Sequence, residues 1–314
     1  MLHMKIETDY FTVKQLADGV YAAIAKSGEG AWSNAGIIDL GEDLLIFDTF
    51  STPTAAMELR KQAEKITGKL VKYVVNSHYH GDHVFGNQVF EDVTIISTEL
   101  THKWCKEKNV IDDVEKEQAE MSQYLQALRN KIENTNNDIL RESLRQQYGE
   151  MSKILADLPR LKIVLPSLIF EEYYVIRGSK RTVELHCFGG GHTISDTFLY
   201  IPEDKIAFMG DIVTDELHVP IYNPEQFVHI LREVNNMDIT TIVPGHGEVG
   251  TLQLCTILEN YISFLIEEAK RAHASSLTLD EFISRFHVPT EYMNWKGVNG
   301  VKGNLTTVYK FISG

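Results

Sequence analysis

Five of the twelve histidines in this 314-residue chain fall in three short motifs. The densest is Asn76-Ser77-His78-Tyr79-His80-Gly81-Asp82-His83, directly after the apolar run Val71–Val75. His78 and His80 are two residues apart, so an extended backbone turns both rings to the same side. Asp82 and His83 add two more donor groups at the next turn. Such a crowd strains the geometry of a single tetrahedral ion. Two adjacent ions that share the run and draw other ligands from distant segments relieve the crowding.

Distant segments with suitable donors exist. Gly189-Gly190-Gly191-His192 follows the strand-like run Arg181–Phe188, Met209-Gly210-Asp211 ends the run Ile206–Met209, and Pro244-Gly245-His246-Gly247 ends Thr240–Val243. Each puts one His or Asp at the C-terminal end of an expected strand, beside glycines that let the backbone turn sharply. Functional residues of open α/β sheets gather at such strand ends.

The run His78-x-His80-x-Asp82-His83, followed in order by His192, Asp211 and His246, resembles the metallo-β-lactamase superfamily. The resemblance covers nearly the whole chain except a helical stretch at 98–160. It implies an α/β fold, a four-layer αββα sandwich with the metals at one edge and a helical hairpin inserted. It implies one domain over residues 1–314. It also implies that His78, His80 and His192 bind a first metal and Asp82, His83 and His246 a second, with Asp211 bridging both. Asp48, which ends the run Leu44–Phe47, resembles the family acid that orients a ligand histidine.

Imidazole and carboxylate without a cysteine ligand suit two Zn²⁺ and also admit Fe or Mn. With Asp82, Asp211 and a bridging hydroxide, two divalent ions leave the centre at about +1. Such a centre makes hydroxide near neutral pH and stabilises the oxyanion formed when that hydroxide attacks a carbonyl. The expected activity is therefore dinuclear zinc-dependent hydrolysis of a small ester, thioester, lactone or β-lactam. An anionic small molecule suits the centre, and Asp82 or Asp211 would pass the proton to the leaving group. His218, Tyr222 and Trp32 are candidate substrate contacts. His218 and Tyr222 lie in the loop after Asp211, and Trp32 follows the Gly-rich turn at 28–30.

Departures from relatives narrow the choice. Asp211 stands where the best-known true metallo-β-lactamases carry a cysteine, so the ligand set looks more like that of hydroxyacylglutathione hydrolases and lactonases. A C-terminal basic pair for glutathione is missing, and the stretch from Tyr292 to Leu305 resembles a less characterised bacterial branch. The alternatives are a β-lactamase proper, a non-catalytic metal-binding protein, or a mononuclear iron oxygenase similar to the persulfide dioxygenases, which keep counterparts of His78, His192 and Asp211.

The elements that must position these residues are legible in outline. Strands are expected at Phe11–Lys14, Val20–Ala25, Ala35–Leu40 and Leu44–Asp48. A helix capped by Ser51 or Thr52 begins at Pro53 and ends at Gly68. Its flanking strands make a βαβ unit. Met121, Leu125, Leu128 and Ile132, then Leu140, Leu144, Tyr148 and Met151, recur every three or four residues and read as the two arms of a helical hairpin. That hairpin could be a lid, a dimer interface or plain packing. Further strands fall at Glu172–Ile176, Arg181–Phe188, Thr197–Ile201, Ile206–Met209 and Thr240–Val243. Helices fall at about 224–236, at about 251–273 and from Leu279.

Composition bounds the partners. Lys+Arg 30 against Asp+Glu 44 gives a net charge of −14, which disfavours nucleic acid and anionic membrane as partners. No run approaches the ~18 apolar residues of a membrane span. The three cysteines, Cys105, Cys187 and Cys255, are widely spaced, which argues against a disulfide framework. With no basic and apolar leader at the N-terminus, the expected location is cytoplasmic.

Overall fold

The computed structural model describes residues 5–314. The reading of the N-terminus as leaderless rests partly on residues 1–4, which lie outside the described residues. The first sheet has eight strands in chain order: β1 (Lys5–Glu7), β2 (Phe11–Ala17), β3 (Val20–Ala25), β4 (Ala35–Asp39), β5 (Leu44–Phe47), β6 (Val71–Val75), β7 (Thr94–Thr98) and β8 (Leu168–Phe170). Pairing is antiparallel up to β5 and parallel from β5 to β8. The second sheet holds β9 (Tyr173–Arg177), β10 (Thr182–His186), β11 (Phe198–Ile201), β12 (Ile206–Phe208) and β13 (Thr241–Val243). There only β12 and β13 run parallel.

Parallel neighbours need crossover connections, and the helices supply them. Between β5 and β6 runs α1 (Pro53–Thr67), where Thr52 Oγ1 accepts from Ala55 N and Gly68 ends the helix in the left-handed region. The short α2 (Gly81–Val84) follows β6. Between β7 and β8 lie α3 (Glu99–Lys108), α4 (Val114–Asn134) and α5 (Asp138–Asp157). A helix α6 (Pro224–Asn235) joins β12 to β13, and α7 (Gln253–Ala274), α8 (Leu279–Arg285) and α9 (Val301–Ser313) close the chain. Among the described residues no helix is long and apolar enough to cross a membrane.

Strand alternation explains the layering. Successive side chains point to opposite faces. In β5, Leu45 and Phe47 enter the core between the sheets while Leu44 and Ile46 pack beneath α1. In β11, Leu199 and Ile201 face the first sheet while Phe198 and Tyr200 join α6, α7 and α9. Three apolar layers thus separate four layers of structure, the expected αββα sandwich.

The insertion is fuller than a hairpin. The strand β7 ends at Thr98, where the helical stretch is expected to begin, and three helices follow it. Leu125, Leu128 and Leu144 form a small core between α4 and α5, with Ile132, Leu140, Tyr148 and Met151 around it. The two apolar stripes therefore close on each other. All three cysteines are free.

Phe208 in β12 is buried between the sheets, its ring 6.1 Å from that of Phe47. Phe208→Ala should cost about 3–5 kcal/mol in urea unfolding. A loss below about 1 kcal/mol would mean that the sheets do not pack tightly there.

Candidate metal centre

Every donor picked out in the sequence leaves the C-terminal end of a strand. The run His78–His83 follows β6, His192 follows β10, Asp211 follows β12 and His246 follows β13. Asp48 stands directly after β5 in the left-handed region (φ 60°). The turn at 244–247 must pass close to Asp211. A Cβ on Gly245 would lie 2.1 Å from Asp211 Oδ1, so glycine alone fits there.

The donors converge as two groups. His78, His80, His192 and Asp211 form one, and Asp82, His83 and His246 the other, each within 4.8 Å internally. In the first, His80 Nδ1 is 3.0 Å from both His78 Nε2 and His192 Nε2. In the second, His246 Nε2 is 3.2 Å and His83 Nε2 3.5 Å from Asp82 Oδ2. Asp211 serves both: Oδ2 lies 3.4 Å from His192 Nε2, and Oδ1 lies 3.3 Å from the Nε2 atoms of His83 and His246. A small divalent ion held at about 2.0–2.1 Å by four donors spaces them about 3.3–3.4 Å apart. The observed separations match that edge. His83 Nε2 and Asp211 Oδ1 are buried without a hydrogen-bond partner, as atoms that await a cation would be.

The ring nitrogens turned away from the centre are fixed by the surrounding chain. His192 Nδ1 donates to Pro220 O at 2.8 Å, and His246 Nδ1 to Trp32 O at 3.0 Å. His83 Nδ1 donates to Asp48 Oδ2 at 2.8 Å. Ser77 Oγ donates to Asp48 Oδ2 at 2.7 Å and so accepts from His78 Nδ1 at 2.9 Å. These partners occupy the outer nitrogens and aim four Nε2 atoms inward, the orientation a metal ligand requires.

Charge divides the groups. Burial and the neighbouring histidines hold His78 well below its usual range, and burial with His192 brings His80 down to about 4. In the other group burial is outweighed. Asp211 and Asp82 raise His246 to about 10, and His83 and His246 hold both carboxyls well below the usual carboxylate range. Among the described residues no lysine or arginine pairs with either aspartate, so the group demands positive charge from protons or a metal.

The centre opens into a cavity of about 600 Å³, an ordinary size for a small-molecule site. His80, Asp82, His192, Asp211 and His246 form its floor. Trp32 and His218 also line it. The His218 ring is buried beside Tyr261 and Trp295, with Nδ1 2.8 Å from Tyr261 Oη. Tyr222 stands outside the lining: Tyr222 N and Asn223 N both donate to Gly191 O, and the half-exposed Tyr222 ring sits 6.4 Å from Trp104.

The sequence left open a lid role for the insertion but did not single out the residues that build its share of the wall. Ser143, Gln146, Gln147 and Glu150 of α5 line the same cavity. Glu150 is buried and accepts from Gly28 N at 2.7 Å and Gly30 N at 2.8 Å. It thereby holds the loop that carries Trp32. From sequence, polar residues at this helical spacing look like a solvated face.

Residues 32–246 match the family model of the metallo-beta-lactamase superfamily, and the chain belongs to that superfamily. It is thus a hydrolase-like, metal-dependent enzyme. Two solved structures have the same fold. A metallo-beta-lactamase from Pontibacter korlensis aligns at 15% identity and TM-score 0.55, covering 83% of this chain and 99% of its own. The protein TMB-1, described for its substrate and inhibitor binding, aligns at 16% identity and TM-score 0.57, covering 82% of this chain and 98% of its own.

Glu150→Ala would orphan two backbone N–H groups and should cost roughly 1–3 kcal/mol. Glu150→Gln, with one acceptor oxygen left, should fall between. Urea unfolding with proteolysis of the 26–34 loop would read both; unchanged stability in Glu150→Ala would refute the clasp.

Proposed function

We propose that this member of the superfamily is a dinuclear zinc-dependent hydrolase acting on a small ester, thioester, lactone or β-lactam. The observation that carries the reading is the division of Asp211 between two complete donor groups at the floor of one cavity. The imidazole and carboxylate set suits zinc, with Fe or Mn also accommodated. When bound, the metal ions supply Lewis-acid polarisation of the substrate carbonyl and hydroxide at neutral pH.

The protein's part is to hold donors and move a proton. His78, His80 and His192 would hold one ion and Asp82, His83 and His246 the other, with Asp211 across both. Asp48 keeps His83 and Ser77 in place. For the proton to the leaving group, Asp82 is better placed than Asp211. Its side chain is 19% exposed against 6%, and its contacts to His83 and His246 both use Oδ2, so Oδ1 has no partner among the described residues. Trp32 and His218 would border the substrate; Tyr222 is not among the residues that line the cavity and sits beside Trp104. The insertion builds part of the cavity wall, which supports treating residues 1–314 as one domain.

Among substrates, a β-lactam stays in view because the Pontibacter korlensis protein of the same fold is a metallo-beta-lactamase. A mononuclear iron oxygenase would leave the Asp82, His83 and His246 group without a task.

Zinc-loaded protein should carry about two ions per chain and turn over at least one member of a panel of esters, thioesters, lactones and a chromogenic cephalosporin. His192→Ala should lose metal and reduce kcat/KM by more than about 100-fold. Full activity in that variant would refute the reading. Metal uptake should release protons. His246 keeps its proton up to about pH 10, whereas His80 loses its own near pH 4, so ions entering at pH 7 should displace a proton from His246 but none from His80. Calorimetry in buffers of different ionisation enthalpy that found no proton release would contradict the assignment.

A further inference from the structure

The helix α5 has two faces of opposite character. Leu140, Leu144, Tyr148, Met151 and Leu155 pack towards α4. Ser143, Gln146, Gln147 and Glu150, spaced i, i+3, i+4 and i+7, form a second stripe along the cavity. All four are polar, and none is fully exposed.

The stripe is rigidly held. Glu150 is committed to Gly28 N and Gly30 N. Beside it the backbones of Gly149 and Gly28 touch: a Cβ on Gly149 would fall 2.7 Å from Gly28 O. Towards its end, Asp157 accepts from Thr54 N at 2.9 Å and Thr54 Oγ1 at 2.8 Å. A recognition surface on a helix fixed in this way is preorganised.

Ser143 Oγ accepts a long hydrogen bond from Gly297 N at 3.4 Å. The carboxamides of Gln146 and Gln147 have no hydrogen-bond partner among the described residues, although both are half-buried and line the cavity. Each offers two N–H donors and a carbonyl acceptor. A bound anion would use only the donors, and a bound cation only the acceptors. A neutral group with a donor and an acceptor side by side satisfies both. With Glu150 already committed, this stripe has no spare charge to offer.

We infer that Gln146 and Gln147 are specificity-determining residues that select substrates whose acyl portion carries an amide, such as an N-acylated amino acid ester. This rests on the hydrolase reading and adds to it the class of group recognised beyond the reacting carbonyl. The α5 insertion then acts as a fixed selective wall over the metal centre.

N-acetylglycine and pentanoate test this directly, because they share a carboxylate and a chain length and differ by an amide in place of two methylenes. In titration calorimetry, zinc-loaded wild type should bind N-acetylglycine roughly tenfold more tightly, the effect of about two hydrogen bonds. The Gln146→Ala/Gln147→Ala variant should lose that preference while keeping its metal and Tm. Arg145→Ala, on the exposed side of α5, should retain it. Equal binding by wild type, binding of neither acid, or a preference that survives the double substitution would overturn the inference. Turnover of 4-nitrophenyl pentanoate and of the N-acetylglycine ester is measured separately. Turnover without amide preference sinks this inference alone, whereas amide preference without turnover of either ester counts against the hydrolase reading.

Discussion

Asp82 and Asp211 are carboxylates packed against the imidazoles of His83, His192 and His246, and among the described residues neither has a lysine or arginine partner. Taking such charge out of water is tolerated only where an opposite charge meets it. Protons on His83 and His246 can meet it, and a metal cation can replace them, because the hydrogen bonds behind His78, His83, His192 and His246 hold the outer nitrogens and aim Nε2 inward. That requirement organises what surrounds it: which strand ends carry donors, which loops touch, and where glycine is obligatory.

The two halves of the sandwich meet at this edge, and polar bonds between their loops fix the meeting. Asn34 Nδ2 donates to Pro244 O and Gly247 O, and Asn34 N to Gly245 O, so the loop before β4 holds the turn of His246. Ser33 Oγ reaches Asp82 O at 2.5 Å, which joins the same loop to the other donor run. Through Glu150, α5 extends this bracing to the insertion. The metal centre, the 26–34 loop and the insertion are thus one connected hydrogen-bonded assembly, and the cavity has a defined wall on each side.

How much of this was legible in the sequence depended on distance along the chain. The run from His78 to His83 announces itself because its donors are local, and His192, Asp211 and His246 stand out because each ends a strand beside glycine. The period-2 strands and the cap of α1 are likewise local signals. By contrast, β7 and β8 are short segments whose pairing, Ile96 with Leu168, joins residues on either side of the whole insertion. The helix α9 carries one internal glycine, Gly303, and follows Gly300 directly, and both weaken its helical signature. Glu150 and Gln147 could not be read as cavity residues, because the partner that fixes α5, the loop at 28–30, lies about 120 positions away. Tyr222 was placed in the pocket from its neighbourhood in the chain, but the bonds to Gly191 O turn that backbone and leave the ring beside Trp104.

Anomalous diffraction from crystals grown with zinc would test the central claim most directly. The account predicts two peaks about 3.5–4 Å apart, the usual spacing of paired catalytic metals, one on each side of Asp211. A single peak, or zinc bound away from Asp211, would contradict it.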